Sequence, residues 1–422
     1  MKTSPFQIIV LSFFAVSIVI GVIVLSSIKS SSQGPGATIV IWGTMPQQVF
    51  SFSTAALTQT NKNLKFNYIE MKSDTFDRDL VEALASGIGP DVILLPQDYI
   101  VRLRDKILPM PYTALPLRDF MDTFIQEGSL YLDEGGILAV PFTVDPLVMY
   151  WNRDLLTNAG MAIPPKTWNE FITLAPKLTV RDKSINVIKS TVALGEFRNI
   201  ANSKEIVSAL FLQTGNPIMK HDASGFGSAL YPSTLGTVGA MNFYTDFANP
   251  VKPNYSWNRA LPNSRDMFTA GDLVFYFGFA SEISKIREKN PNLNFDVTYF
   301  PQPKSAPVLT TFGRMQGLAV LKSSPNASQA FGDILALTSA ESIASVSKAT
   351  NLPPVRLDLL STSSEDPYQA IFYSSAIRAQ GWLDPNPQSS RTIFQNMIES
   401  ITSGEQEVGA AIDLAGRNLN GI

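Results

Sequence analysis

Short apolar runs bounded by glycine, proline or aspartate recur along the chain, separated by stretches in which apolar residues return every three or four positions. The segment Thr38 to Gly43 (TIVIWG) is β-branched and closed by glycine, and it predicts a buried opening strand. Asp74 and Asp77 flank a helix start, after which Phe76, Leu80, Val81 and Leu84 share one helical face until Gly87 stops it. Asp91 to Pro96 reads as the next buried strand. Further strand-like runs lie at Ile137 to Phe142, Leu147 to Trp151, Leu273 to Phe279, Phe295 to Phe300 and Gly317 to Leu321. Thr167 with Glu170 forms a capping box behind Pro164 and Pro165, and Thr338 with Glu341 predicts a second. The strand–helix–strand rhythm predicts an α/β architecture, and no internal period of repeat length accompanies it. Trp151 and Trp168 fall inside these patterns as packing residues.

One run is of a different kind. Ile8 to Leu25 is apolar apart from Ser12, Ser17 and Gly21, long enough at about 1.5 Å per residue to cover most of a bilayer's hydrocarbon. It ends in Ser26, Ser27, Ile28 and Lys29 without a small-residue cleavage site, so residues 1–28 are expected to be an uncleaved membrane anchor or uncleaved signal, with a cleaved signal peptide as the alternative, and the bulk of the chain extracytoplasmic. Residues 29–37, rich in serine and glycine, are expected to form a flexible tether.

Composition narrows the chemistry. At 422 residues the chain exceeds what one core usually serves, so two lobes are expected. It has no cysteine and one histidine, His221, which excludes disulfides, lipidation of a cysteine, thiol nucleophiles and cysteine-containing zinc sites. No metal or other cofactor is expected, and His221, between Lys220 and Asp222, reads as a surface residue. With Lys2 and Lys29 set aside, 31 basic residues face 36 acidic ones, a balance of −5 that gives no reason to expect a nucleic-acid partner and favours a monomer in solution.

Several segments stand in a specific order: Gly89-Pro90-Asp91-Val92; Ala139 to Phe142 with Asp145; Tyr150 to Asp154; Pro164 to Phe171; Ala270-Gly271-Asp272; Gly317 to Val320 before Ser324 to Ala327; Leu352 to Arg356; and Thr402 to Glu405. In this the chain resembles the extracellular solute-binding proteins of ABC importers, the family that includes maltose-binding protein, over nearly all of its length after Thr38. The resemblance implies a periplasmic-binding-protein-like fold, two α/β lobes joined by hinge strands, with lobe one at residues 38–142 and 297–337 and lobe two at 143–296 and 338–422. It implies a small ligand held between the lobes, handed to ABC permease subunits, and no catalysis.

A sugar needs flat aromatic faces for its C–H surfaces and charged or amide groups for its hydroxyls. Trp42 ends the first strand, where ligands bind in open α/β sheets. The resemblance implies ligand contacts by Asp98 and Asp145, by the loop carrying Glu196, Arg198 and Asn199, and by the lobe-two segments of Trp257 and Trp382. Phe279, Glu282 and Arg314 follow or precede strands and complete the candidate set. Leu95 stands where relatives carry an aromatic residue. The competing classes are an exported glycoside hydrolase using paired carboxylates and a cell-surface ligand sensor.

Overall fold

A computed structural model describes residues 37–422 apart from 223–224, 232–234, 305, 307, 362–363 and 365; the expected anchor and all but the last residue of the tether lie outside the described residues. No helix among the described residues is long and apolar enough to cross a membrane.

Strand β1 (Ile39–Gly43) buries Ile39 and Ile41 on one face, as its β-branched pattern dictates, and pairs in parallel with β2 (Phe66–Glu70) and β3 (Val92–Pro96). The connection from β1 to β2 is helix α1 (Gln47–Thr60), and that from β2 to β3 is α2 (Phe76–Ala85). In α2 the buried face is Phe76, Leu80 and Ala83, while Val81 points outward, and Gly87 follows with φ +71°.

The two lobes share one sheet. Strand β4 (Val140–Asn152) is thirteen residues long and serves both. Its first half, up to Pro146, pairs antiparallel with β9 (Thr311–Val320), which in turn pairs with β3. Its second half pairs with β7 (Leu273–Phe279) and β8 (Phe295–Thr298), and beyond β7 lie β6 (Val187–Val192) and the edge pair β5 (Val180–Arg181). A two-residue strand β10 (Ala379–Gln380) lies alongside the start of β9. The order among the described residues is β2-β1-β3-β9-β4-β7-β6-β5. Two apolar cores, one on each face, sandwich the lobe-one part, and a larger core fills lobe two.

Lobe boundaries differ from those expected. Val297 and Phe300 belong to the lobe-two core because β8 pairs with the far half of β4, so the chain recrosses near Thr311 rather than Val297. Ile343, Val346, Val355 and Leu360 pack in the lobe-one core, so the segment from 338 to about 360 belongs with lobe one, while the helix Pro367–Ile377 packs on both cores, Phe372 on that of lobe two and Ala376 on that of lobe one, before the final crossing at Gln380 and Gly381. The Thr167–Glu170 capping box is present at the start of α3 (Trp168–Leu178). The expected second box is not: Ser339 caps the helix that starts at Ala340, while Thr338 closes the preceding helix by donating to Ile334 O at 2.8 Å.

Candidate functional site

The parallel strands of lobe one end on a cleft of about 680 Å³, within the range of small-molecule sites, whose opposite wall is lobe two. From lobe one come Thr44, Met45 and Pro46 after β1, then Gln97, Asp98 and Tyr99 after β3. The crossing strands contribute Thr143 and Asp145 of β4 and Phe312, Arg314 and Gln316 of β9. Lobe two adds Lys204 and Glu205 at the start of α4 (Ser203–Gln213), Ser281 and Lys285 after β7, and Trp382 and Asp384 after the last crossing.

The lobe-two wall is a fixed network. Lys204 Nζ, buried, pairs with Asp384 and donates to Ser390 Oγ at 2.7 Å, and it lies 5.2 Å from the Trp382 ring centre. Trp382 stacks on Phe394 at 6.0 Å and 14°, and its indole N–H donates to Ser208 Oγ at 3.1 Å. Arg314, reaching over from β9, donates to Glu205 Oε1 at 2.5 Å and lies 3.9 Å above the Phe279 ring. Burial alone would raise the Glu205 carboxyl; the Arg314 guanidinium outweighs it and holds Glu205 below its usual range.

The remaining acids are less engaged. Asp98 makes no ion pair and no hydrogen bond to another residue among the described ones, and burial pushes its carboxyl up, reinforced by Asp384 and opposed by Lys204 and Arg314. Asp145 accepts the Ser281 N–H at 3.0 Å, and burial pushes it up to about 6 against the pull of Ser281 and Arg314. Tyr99 meets Phe76 edge-on at 6.4 Å, so lobe one presents its own aromatic surface. Among the described residues no group of three or more histidine, cysteine or carboxylate side chains is placed to hold a metal ion.

Of the expected site residues, Asp98, Asp145, Arg314 and Trp382 line this cleft. Phe279 is buried beneath Arg314, and Glu282 is buried one layer back, accepting from Tyr276 and Arg265 at 2.5 and 2.6 Å. Trp42 turns away into lobe one's outer core, and the cleft begins two residues later. The remaining four lie elsewhere in lobe two. Trp257 is 0% exposed and donates to Asn199 Oδ1 at 3.1 Å, Asn199 ties two loop carbonyls, Glu196 pairs with Arg259, and Arg198 pairs with Glu399 on the surface. Lys204, Glu205, Tyr99 and Asp384 carry no local sequence signal that marks them. Asp384, two residues past Trp382, was within reach as part of the same crossing loop.

The family model described as bacterial extracellular solute-binding protein matches residues 53–370. The chain belongs to that family. A probable ABC transporter-binding protein of Deinococcus radiodurans is 40% identical over 52 residues, 12% of each chain. A putative binding protein of Brucella abortus is 21% identical over 65% of each chain, and an arabinooligosaccharide-binding protein of Halalkalibacterium halodurans is 27% identical over 35% of each. These matches span 12 to 65% of the curated relatives' lengths. In fold the chain is similar to a cyclo/maltodextrin-binding protein complexed with maltotetraose, at 16% identity and TM-score 0.74 over 92% of this chain and 98% of that one. It is equally similar to a cyclic α-maltosyl-1,6-maltose binding protein from Arthrobacter globiformis, at 17% identity and TM-score 0.75 over the same shares. Family membership implies an extracytoplasmic location.

Proposed function

We propose that this solute-binding protein captures an uncharged carbohydrate between its lobes and presents it to an ABC permease, with residues 1–28 as its membrane anchor. The observation that carries this reading is the pairing of two unlike walls. On lobe two, Trp382 is 5% exposed, packed between Phe394 and Lys204 as a fixed backing of the cleft; on lobe one, Tyr99 lines the cleft with an aromatic face for a sugar ring, and beside it Asp98 is a carboxylate without a partner among the described residues, able to accept two hydroxyls. Solved proteins of the same fold are bound to maltotetraose, α-D-tagatose and mannotriose, which supports the ligand class.

A hydrolase is the weaker reading. Glu205 and Asp384 are already held in ion pairs and Asp145 holds the Ser281 N–H, which suits a binding wall more than a proton-transfer pair. Thermal-shift screening of the full-length protein in detergent against mono-, di- and oligosaccharides tests the proposal, with amino acids and nucleosides alongside. A rise in melting temperature with sugars is expected; a rise confined to the other classes would overturn the carbohydrate reading. Membrane fractionation after a high-salt wash tests the anchor, and release of a chain lacking residues 1–28 would overturn it.

A further inference from the structure

At one edge, away from the residues that line the cleft, the lobes touch through charged and aromatic side chains. Arg104 belongs to a short lobe-one turn, Arg104–Lys106, behind Leu103 of the lobe-one core. Asp133, on a neighbouring lobe-one hairpin, takes its Nε at 3.3 Å and its Nη2 at 2.5 Å. This fork fixes the guanidinium plane and leaves Nη1 directed outward, 3.3 Å from His221 Nε2. His221 lies on a lobe-two hairpin, Met219–Asp222 with Gly225–Ser228, that is rooted through Met219 in the lobe-two core. Its ring stacks on Phe226 at 4.2 Å and 12°, and Arg104 also lies 5.4 Å from the Phe226 ring.

We infer that Arg104, Asp133, His221 and Phe226 form an interlobe latch that favours the closed arrangement whether or not the cleft is filled. A guanidinium only donates, so in this contact His221 Nε2 is the acceptor and the ring is neutral. A protonated imidazole has two donors and no acceptor, and it would place a second cation against Arg104. The charged groups that face the ring among the described residues are Arg104 and Asp133 from lobe one; Asp413 and Arg417, on the helix packed beneath the hairpin, pair with each other. Burial opposes the charge of Asp133, but Arg104 outweighs this and holds its carboxyl below the usual range, which keeps the fork ionic. By setting the resting population of the closed form, the latch fixes how much ligand binding must supply for closure.

Single-molecule energy transfer on the full-length chain in detergent, without ligand, tests this. The sequence has no cysteine, so Lys106→Cys and Asn418→Cys, exposed on either side of the latch, are the sole labelling sites. His221→Phe keeps a ring on Phe226 and removes the acceptor; Arg104→Lys keeps the charge and removes the fork. Each should lower the ratio of closed to open molecules at pH 8 by about two- to fivefold. Unchanged ratios in both variants, with unaltered melting curves, would overturn the latch. A ratio lowered in Arg104→Lys but unchanged in His221→Phe would overturn His221 as the acceptor.

Discussion

The two walls of the cleft are built on opposite principles. In lobe two nearly every polar group that faces the cleft is already committed: Lys204 to Asp384 and Ser390, Glu205 to Arg314, Trp382 to Ser208 and Phe394. In lobe one Asp98, in the turn after β3, has no partner among the described residues. A preformed wall costs little further ordering when a ligand arrives, whereas an unpaired acceptor in a partly dry site gains most from it. The arrangement assigns shape to lobe two and hydrogen-bond capture to lobe one.

Removing the lobe-two framework should have the largest effect. Trp382→Ala deletes a buried ring between Phe394 and Lys204 and should destabilise the protein by about 3–5 kcal/mol, read by urea unfolding. A loss below about 1 kcal/mol would mean that the wall is not a packed framework at all.

A second large effect belongs to the seam between the walls. Glu127 is 2% exposed, with neither carboxyl oxygen hydrogen-bonded among the described residues, and it sits against Gly313 and Gly381. Burial pushes it up to about 8, against a smaller pull from the Gln97 amide. The sign follows from proton binding. Between its ordinary value of 4.5 and about 8 the folded chain retains a proton that the unfolded chain has lost, so stability falls as pH rises through that window. Unfolding free energy measured from pH 5 to 8.5 should decline by a few kcal/mol more in the parent than in Glu127→Gln, at about 1.4 kcal/mol per unit. Parallel curves would show that the carboxyl is not held in its neutral form.

Smaller again is the lobe-one effect. Asp98→Asn should leave stability unchanged or slightly raised, since it removes a desolvated charge, while weakening sugar binding about ten- to a hundredfold in calorimetry. Arg198→Ala, on the far surface of lobe two, should move neither the unfolding midpoint nor the affinity. If Asp98→Asn lowered stability instead, the contrast between the walls would fail.

Local patterns were legible where one segment decides its own structure. The Thr167 cap and β3 lie where alternation and capping put them. Asp98 and Asp145 were reachable through the resemblance, which marks ligand acids at these positions. The lobe boundary near Thr311 was not legible, because it depends on which half of β4 accepts β8, a pairing between residues about 145 positions apart. The loops of Glu196, Asn199 and Trp257 resemble site loops in composition. In the fold they close on one another, with Tyr244 O–H on Glu196 O at 2.7 Å and the Trp257 indole on Asn199. Lys204 and Asp384 are invisible as a pair for the same reason, since 180 residues separate them.

Strand β4 bears on how the molecule comes apart. Its two halves are one uninterrupted backbone, each serving a different lobe's hydrogen-bond ladder. Melting lobe two would strip β7 and β8 from Leu147 to Asn152 and fray the strand up to the edge on which β9 is registered. A hinge built from a shared strand thus couples the lobes' fates even as it frees their orientation, and calorimetry is expected to show one cooperative transition rather than two in succession.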